Sequence, residues 1–290
     1  MKKIIVIISV IVMMVSLFGC SATSRDPDIV ATTKPVYDFT SYLCNGTGLT
    51  VQQLITENVS CLHDYTLQVR QMRAIEAADT IVLSGAGLEE FLHDALQSAN
   101  TVIDASQNIA LQCGEHHHEE DGHHHESDPH IWLNVKNARI MADNICQGLS
   151  AQYPEYQKTF SDNLIALNHK FDQLEVYGQE ALANLKQRNL ITFHDGFSYF
   201  AEEWDLHILR AVEEESGSEA SAAELKELIG LIRQYEMTAI FTEENGSASA
   251  AGIIANETGC SVYTLSMGMS DKDYFETMYH NIDTVKEALG

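Results

Sequence analysis

Residues 154–186 read PEYQKTFSDNLIALNHKFDQLEVYGQEALANLK. Phe160, Leu164, Leu167, Phe171, Leu174 and Tyr177 recur at steps of three and four. That spacing predicts one continuous amphipathic helix opening just after Pro154. About thirty residues at 1.5 Å each would span roughly 45 Å. A helix of that length can run from one end of a two-lobed molecule to the other. The chain on either side of it decides whether there are two lobes.

Upstream, short apolar runs alternate with helical patterns. Residues 28–33, 49–55, 80–84 (TIVLS) and 101–104 read as strands. Between them, Val36, Phe39, Tyr42 and Leu43 form a helical face behind Pro35, and residues 67–78 and 88–97 carry helical patterns. Residues 134–149 add another helix. Downstream the rhythm restarts. Strands are predicted at 189–193, 207–211, 239–242 and 261–265, with helices at 197–203, 219–235, 247–258 and 272–289. Strand and helix in strict alternation argue for parallel sheets covered by helices. The expected fold is therefore α/β: two similar lobes with largely parallel sheets, at residues 21–152 and 188–290, joined by one long backbone helix at 153–187. No internal repeat is strong enough to show duplication.

The first twenty residues stand outside this plan. Lys2 and Lys3 precede an apolar run from Ile4 to Phe18, and Gly19 and Cys20 follow. These flanks and this length read as an export signal. The span Leu17-Phe-Gly-Cys20 resembles a bacterial lipoprotein signal, in which the cysteine becomes the lipidated first residue. Cys20 is thus the expected lipidation site, and an uncleaved anchor helix is the alternative. Either reading puts the rest of the chain outside the cytoplasm. The full chain carries 17 basic and 42 acidic residues, a formal charge of −25. Such a surface repels phosphate backbones, so nucleic acid is not an expected partner. Removing residues 1–20 takes away two lysines and no acid, leaving −27. Five cysteines then remain, at 44, 61, 113, 146 and 260. Export permits disulfides, and an odd count leaves at least one cysteine unpaired within the chain. Cys44 with Cys61 is the first pair to test. No CxxC spacing indicates a structural zinc knuckle.

Three histidines lie just beyond strand-like segments: His63 in CLHDY, His130 in SDPHIWL and His194 in ITFHDGF. Open α/β sheets collect ligands at the carboxyl ends of their strands, and two lobes facing each other there would form a cleft. Neutral imidazole suits zinc. Asp64 and Asp195 follow two of the histidines and Asp128 precedes the third by two; carboxylates near metal-bound imidazoles can fix a ring's tautomer, but adjacency in sequence does not establish that geometry. A lone histidine after a strand is more often a surface or capping residue. The shared topological position of these three raises the metal reading without deciding it.

The segments TKPVYDF (33–39), HDY (63–65), AADTIVLSGAGLE (77–89), DPHIWL (128–133), FHDGFSYF (193–200), FTE (241–243), VYTL (262–265) and YHN (279–281) occur in the order found in the cluster A-I (cluster 9) solute-binding proteins of ABC importers for zinc and manganese. The resemblance covers nearly everything from Ile29 to Leu289. It implies an extracytoplasmic receptor, not an enzyme, that hands its ion to an importer permease. It also implies that His63, His130 and His194 are the ligands. Manganese members have a carboxylate at the third position and zinc members a histidine, so His194 points to Zn2+. The family often places an Asp or Glu after the last strand as a fourth ligand, where this chain has Ser266-Met-Gly268. Usual prolines near residues 219–222 and 243–245 are absent as well. The fourth position is left to water, to Glu243 or to a loop histidine, with water favoured. Capping of the helix near Ser247 is the other reading of Glu243.

Residues 115–126, EHHHEEDGHHHE, have no apolar period and read as a mobile loop. His116, His117, His118, His123, His124 and His125 would make it a tether of weak ligands beside the cleft, raising the local zinc concentration. Loops of this kind at this place are common in the zinc branch the chain resembles, and a merely solvated linker is the plain alternative. His93, His169, His207 and His280 read as structural or surface residues, and Trp132 and the 197–200 aromatics as core. The competing functions are a manganese or iron receptor of the same fold, an exported zinc-dependent hydrolase and a surface adhesin. The hydrolase lacks an H-E-x-x-H, a G-x-S-x-G or a phosphate loop. Imidazole ligation further predicts metal affinity that falls below about pH 6, as protons compete for the ring nitrogens.

Overall fold

The structure, a computed structural model, describes residues 26–57, 62, 65–97, 99–112, 127–213, 221–244 and 248–290. The signal with Cys20, His63 with Asp64, and the histidine loop at 115–126 lie outside the described residues.

The first sheet holds β1 (Ile29–Ala31), β2 (Val51–Gln53), β3 (Thr80–Leu83) and β4 (Thr101–Asp104). Their order is β2-β1-β3-β4 and every pairing is parallel. The second holds β5 (Asn189–His194), β6 (His207–Glu213), β7 (Ala239–Glu243) and β8 (Ser261–Leu265), in the order β6-β5-β7-β8, again all parallel. The two lobes thus share one topology without a visible sequence repeat. All eight strands among the described residues lie where their apolar runs predicted. β1, β3 and β7 are buried almost throughout, as strands covered on both faces must be.

The helices are α1 (Lys34–Cys44), α2 (Val69–Ala77), α3 (His93–Leu96), α4 (Val135–Gln152), α5 (Gln157–Leu182), α6 (Ser198–Glu203), α7 (Ala222–Gln234), α8 (Ala248–Thr258) and α9 (Tyr274–Leu289). Local chemistry sets their starts. Pro35 stands in the first turn of α1. The Asn134 side chain accepts from Lys136 N and Asn137 N at the head of α4. Ser221 and Glu224 form a reciprocal capping box on α7. Asp273 caps α9 by accepting from Phe275 N. The predicted helix at 88–97 is instead a 3-10 turn at Glu90–Leu92 followed by the single turn α3.

α5 has 26 residues, about 39 Å of helix, and a 3-10 turn at Pro154–Tyr156 precedes it. It buries Phe160, Leu167, Phe171, Leu174, Gly178 and Leu182 along one stripe. One apolar core runs through both lobes: it contains Ile29 and Phe39 of the first, Phe171 of α5, and Phe200 and Tyr274 of the second. Polar ties cross the same boundary. Asp38 Oδ2 accepts from Tyr274 N at 2.9 Å, and the Tyr274 hydroxyl donates to Trp132 O at 3.0 Å. A second cluster, with Ile191, Phe193, Leu228, Ile240 and Ile254, fills the other face of the second sheet.

One expectation needs correction. Cys44 is a free, buried thiol, so the Cys44–Cys61 pair is not formed. Cys44 closes α1 beside Asp28, at the amino end of the sheet, and burial pushes its pKa up to about 12. Cys61 lies outside the described residues. Cys146 and Cys260 are also free and buried.

Candidate metal centre

In a sheet of order 2-1-3-4 the connections from the two middle strands leave in opposite directions. A crevice opens between their carboxyl ends. In the second lobe those strands are β5 and β7, and their last residues are His194 and Glu243. Both are buried, at 3% and 5% exposure. Thr192 pairs with Phe241. Two residues further on, His194 and Glu243 therefore stand at one level on neighbouring strands.

His130 reaches the same place from the first lobe. It sits at the head of the 3-10 turn Ile131–Leu133 and is 4% exposed. Its ring lies 5.2 Å from that of His194, centroid to centroid, at 85°. With Zn–N about 2.0–2.1 Å and ring centres about an ångström beyond, two imidazoles on one tetrahedral ion sit roughly 5 Å apart. The observed spacing has that value.

Asp128 prepares the His130 ring. Its Oδ1 lies 2.8 Å from Nδ1 and accepts from His130 N at 2.9 Å. A carboxylate only accepts, so Nδ1 carries the proton and Nε2 keeps its lone pair for a metal. The sequence raised this for three aspartates; it holds for Asp128. Pro129, between the two residues, stiffens the link.

The walls are close and largely apolar. Trp132 packs edge-on to His130 at 5.5 Å and donates from Nε1 to Met267 O at 2.8 Å. A Cβ on Gly196 would lie 2.8 Å from His194 Nε2 and 2.7 Å from Met267 Cε, so the glycine leaves room for the ring. Ser266, where the resemblance led one to look for a fourth carboxylate, is buried, and its backbone is held on both sides by Asn281. A cavity of about 470 Å³ opens beside this site, lined by Leu62, Phe91, Asp104 and Pro129 among others, but by neither His130 nor His194.

The matching crevice of the first lobe is filled. Glu89 reaches between the ends of β1 and β3 and accepts from Thr32 Oγ1, Ser84 N and Gly85 N. Burial pushes its pKa up to about 7. Sequence reasoning passed over this carboxylate. The glycine-rich GAGLE stretch after a strand was the available signal.

His130, His194 and Glu243 are thus all at the interlobe crevice, whereas His63 lies outside the described residues. No group of three or more metal-binding side chains is assembled among the described residues. His93, His169, His207 and His280 are exposed, and Trp132, Phe197, Tyr199 and Phe200 are core, as read.

A family model for the periplasmic component A of zinc-uptake complexes (ZnuA) matches residues 29–288. The chain belongs to the ZnuA family. Among curated relatives, the zinc-binding lipoprotein AdcA of Streptococcus pneumoniae is 29% identical over 279 residues, which is 90% of this chain and 55% of AdcA. The chain therefore spans about half the length of this relative. A crystal structure of ZnuA superposes with a TM-score of 0.81 at 28% identity, covering 91% of this chain and all of that one. The Zn(II)-bound ZnuA-like domain of the same AdcA superposes with a TM-score of 0.75 at 28% identity, covering 90% of this chain and 98% of the domain. The length beyond the match in AdcA thus lies outside the ZnuA-like fold. Two α/β lobes on a long helix are the fold of this family.

Proposed function

We propose that this ZnuA-family chain is an extracytoplasmic receptor that captures Zn2+ between its lobes and delivers it to an ABC-type importer permease. The observation that carries the reading is the His130–His194 pair: one imidazole from each lobe, both buried, 5.2 Å apart, in a family described as zinc-uptake components. His63 supplies the third nitrogen. Water takes the fourth corner, with Glu243, buried at the end of β7, as the alternative. Three imidazoles favour zinc over manganese, which prefers more oxygen donors. The fold itself does not choose the ion, since FpvC of Pseudomonas aeruginosa, in complex with Mn2+, shares it at a TM-score of 0.80 and 23% identity.

A receptor needs its ion enclosed, whereas a hydrolase needs room for an organic substrate at the metal. The buried histidines favour the first. The six loop histidines at 116–118 and 123–125 act as an auxiliary gathering site, and the excess of acids draws cations toward the molecule. A signal at residues 1–20 exports the chain, and lipid on Cys20 holds it to the cell membrane. Closure over zinc is a modest tilt, because the apolar core that both lobes share resists a wide hinge.

The test is zinc titration of residues 21–290 against a chromophoric chelator. His63→Ala, His130→Ala and His194→Ala should each weaken binding by roughly two orders of magnitude or more, beyond the tenfold to hundredfold typical of ligand-supporting residues. Affinity should fall below about pH 6. Unchanged affinity in the His130 or His194 variant, or manganese that zinc fails to displace, would overturn the assignment.

A further inference from the structure

Two of the proposed ligands stand on regular structure, His194 at the end of a strand and His130 on a 3-10 turn. His63 lies in the connection between β2 and α2, outside both elements. A ligand on such a segment binds tightly only if the surrounding structure holds its aim.

The residues flanking that connection meet in one polar cluster. The Tyr65 hydroxyl donates to Glu57 Oε2 at 2.8 Å and accepts from Gln71 Nε2 at 2.6 Å. Gln71, 2% exposed in the first turn of α2, also donates to Leu54 O at 3.0 Å and accepts from Gln68 N at 2.8 Å. This one amide thereby joins the end of β2, the start of α2 and Tyr65. Glu57 Oε1 accepts from Gln68 Nε2 and pairs with Arg70. The Tyr65 ring packs edge-on to Phe91 at 5.3 Å. Tyr65 N donates to Leu62 O at 3.0 Å, and the Leu62 side chain is buried in the core. The two residues that bracket His63 and Asp64 are therefore held one hydrogen bond apart.

We propose that Glu57, Tyr65 and Gln71 form a positioning latch that sets the aim of His63 at the ion. The latch rests on the reading of His63 as a ligand. Its members act through His63 and do not touch zinc. Their energetic effect on binding should therefore vanish when the imidazole is removed.

The experiment is a double-mutant cycle on residues 21–290, reading zinc affinity by chelator competition and zinc release by stopped flow. Tyr65→Phe removes both hydrogen bonds of the hydroxyl, to Glu57 and from Gln71, and should weaken zinc about fivefold, mainly through faster release. Glu57→Ala should act alike, and Glu57→Gln, whose amide oxygen still accepts from Tyr65, should restore most of the loss. In a His63→Ala background neither Tyr65→Phe nor Glu57→Ala should change the residual affinity. Equal losses in both backgrounds would mark a general structural effect and overturn the latch. So would wild-type affinity in both Tyr65→Phe and Glu57→Ala while His63→Ala binds weakly, and the ligand set would then survive. Wild-type affinity in His63→Ala would overturn the ligand reading and the latch together.

Discussion

His130, at the head of a 3-10 turn, and Glu89, between two strand ends, are both buried polar side chains, but they are satisfied in different ways. The His130 ring spends one nitrogen on Asp128 and keeps the other for the crevice. Asp128→Asn should let the ring turn and change tautomer, weakening zinc binding about 10- to 100-fold with little change in fold; chelator competition would measure it. Glu89 spends both oxygens on protein donors, yet burial still raises its pKa from 4.5 to about 7. Folding therefore favours its protonated form. The stability it contributes is complete below about pH 4.5 and is lost as pH climbs through 7. Melting of the metal-free protein should accordingly start lower at about pH 8 than at about pH 5, by on the order of 2–4 °C per kcal/mol lost. Glu89→Gln should flatten that slope, and an unchanged slope would show that the general acidic charge is responsible.

Among the helices, α5 depends on a small residue at its point of closest packing. A Cβ on Gly178 would lie 2.3 Å from the Trp204 ring. Gly178→Ala should improve helix propensity and still destabilise, by about 1–3 kcal/mol, because the indole has to move within a full core; thermal denaturation would give the sign. The histidine loop is closed at its base, where Asp128 N donates to Gln112 O at 3.0 Å. Gln112 is in turn fixed to α6: its N donates to the Tyr199 hydroxyl and its Nε2 to Glu202. Deleting residues 115–126 should therefore spare the tight site and remove only extra zinc stoichiometry or capture under scarcity, as calorimetric titration would show. Loss of the tight site would contradict this division.

The molecule as a whole is two sheets with one shared core. α9 belongs to the second lobe by sequence, yet its first residue hydrogen-bonds to Asp38 of α1 and its rings pack on Phe39 and Phe171. Trp132 of the first lobe is bonded to Met267 of the second. Metal-free protein should then unfold in one calorimetric transition, with calorimetric and van't Hoff enthalpies in agreement. Two resolved transitions would mean that the lobes are energetically separate and that closure could be wide.

Among the described residues, each strand and each long helix could be read from the chain, because burial on both faces and amphipathic periodicity are local patterns written in consecutive residues. The 3-10 break at Glu90–Leu92 was not legible, since the apolar spacing there also fits a regular helix. The histidines at 130 and 194 stood out for their place after strands. Their meeting across two lobes depends on strand order and on how the lobes pack, and neither leaves a local trace. Nor do the filling of the first crevice by Glu89, the hub at Gln71 or the free state of Cys44. Each is set by residues far apart in the chain, and only folding brings their side chains within a few ångströms of one another.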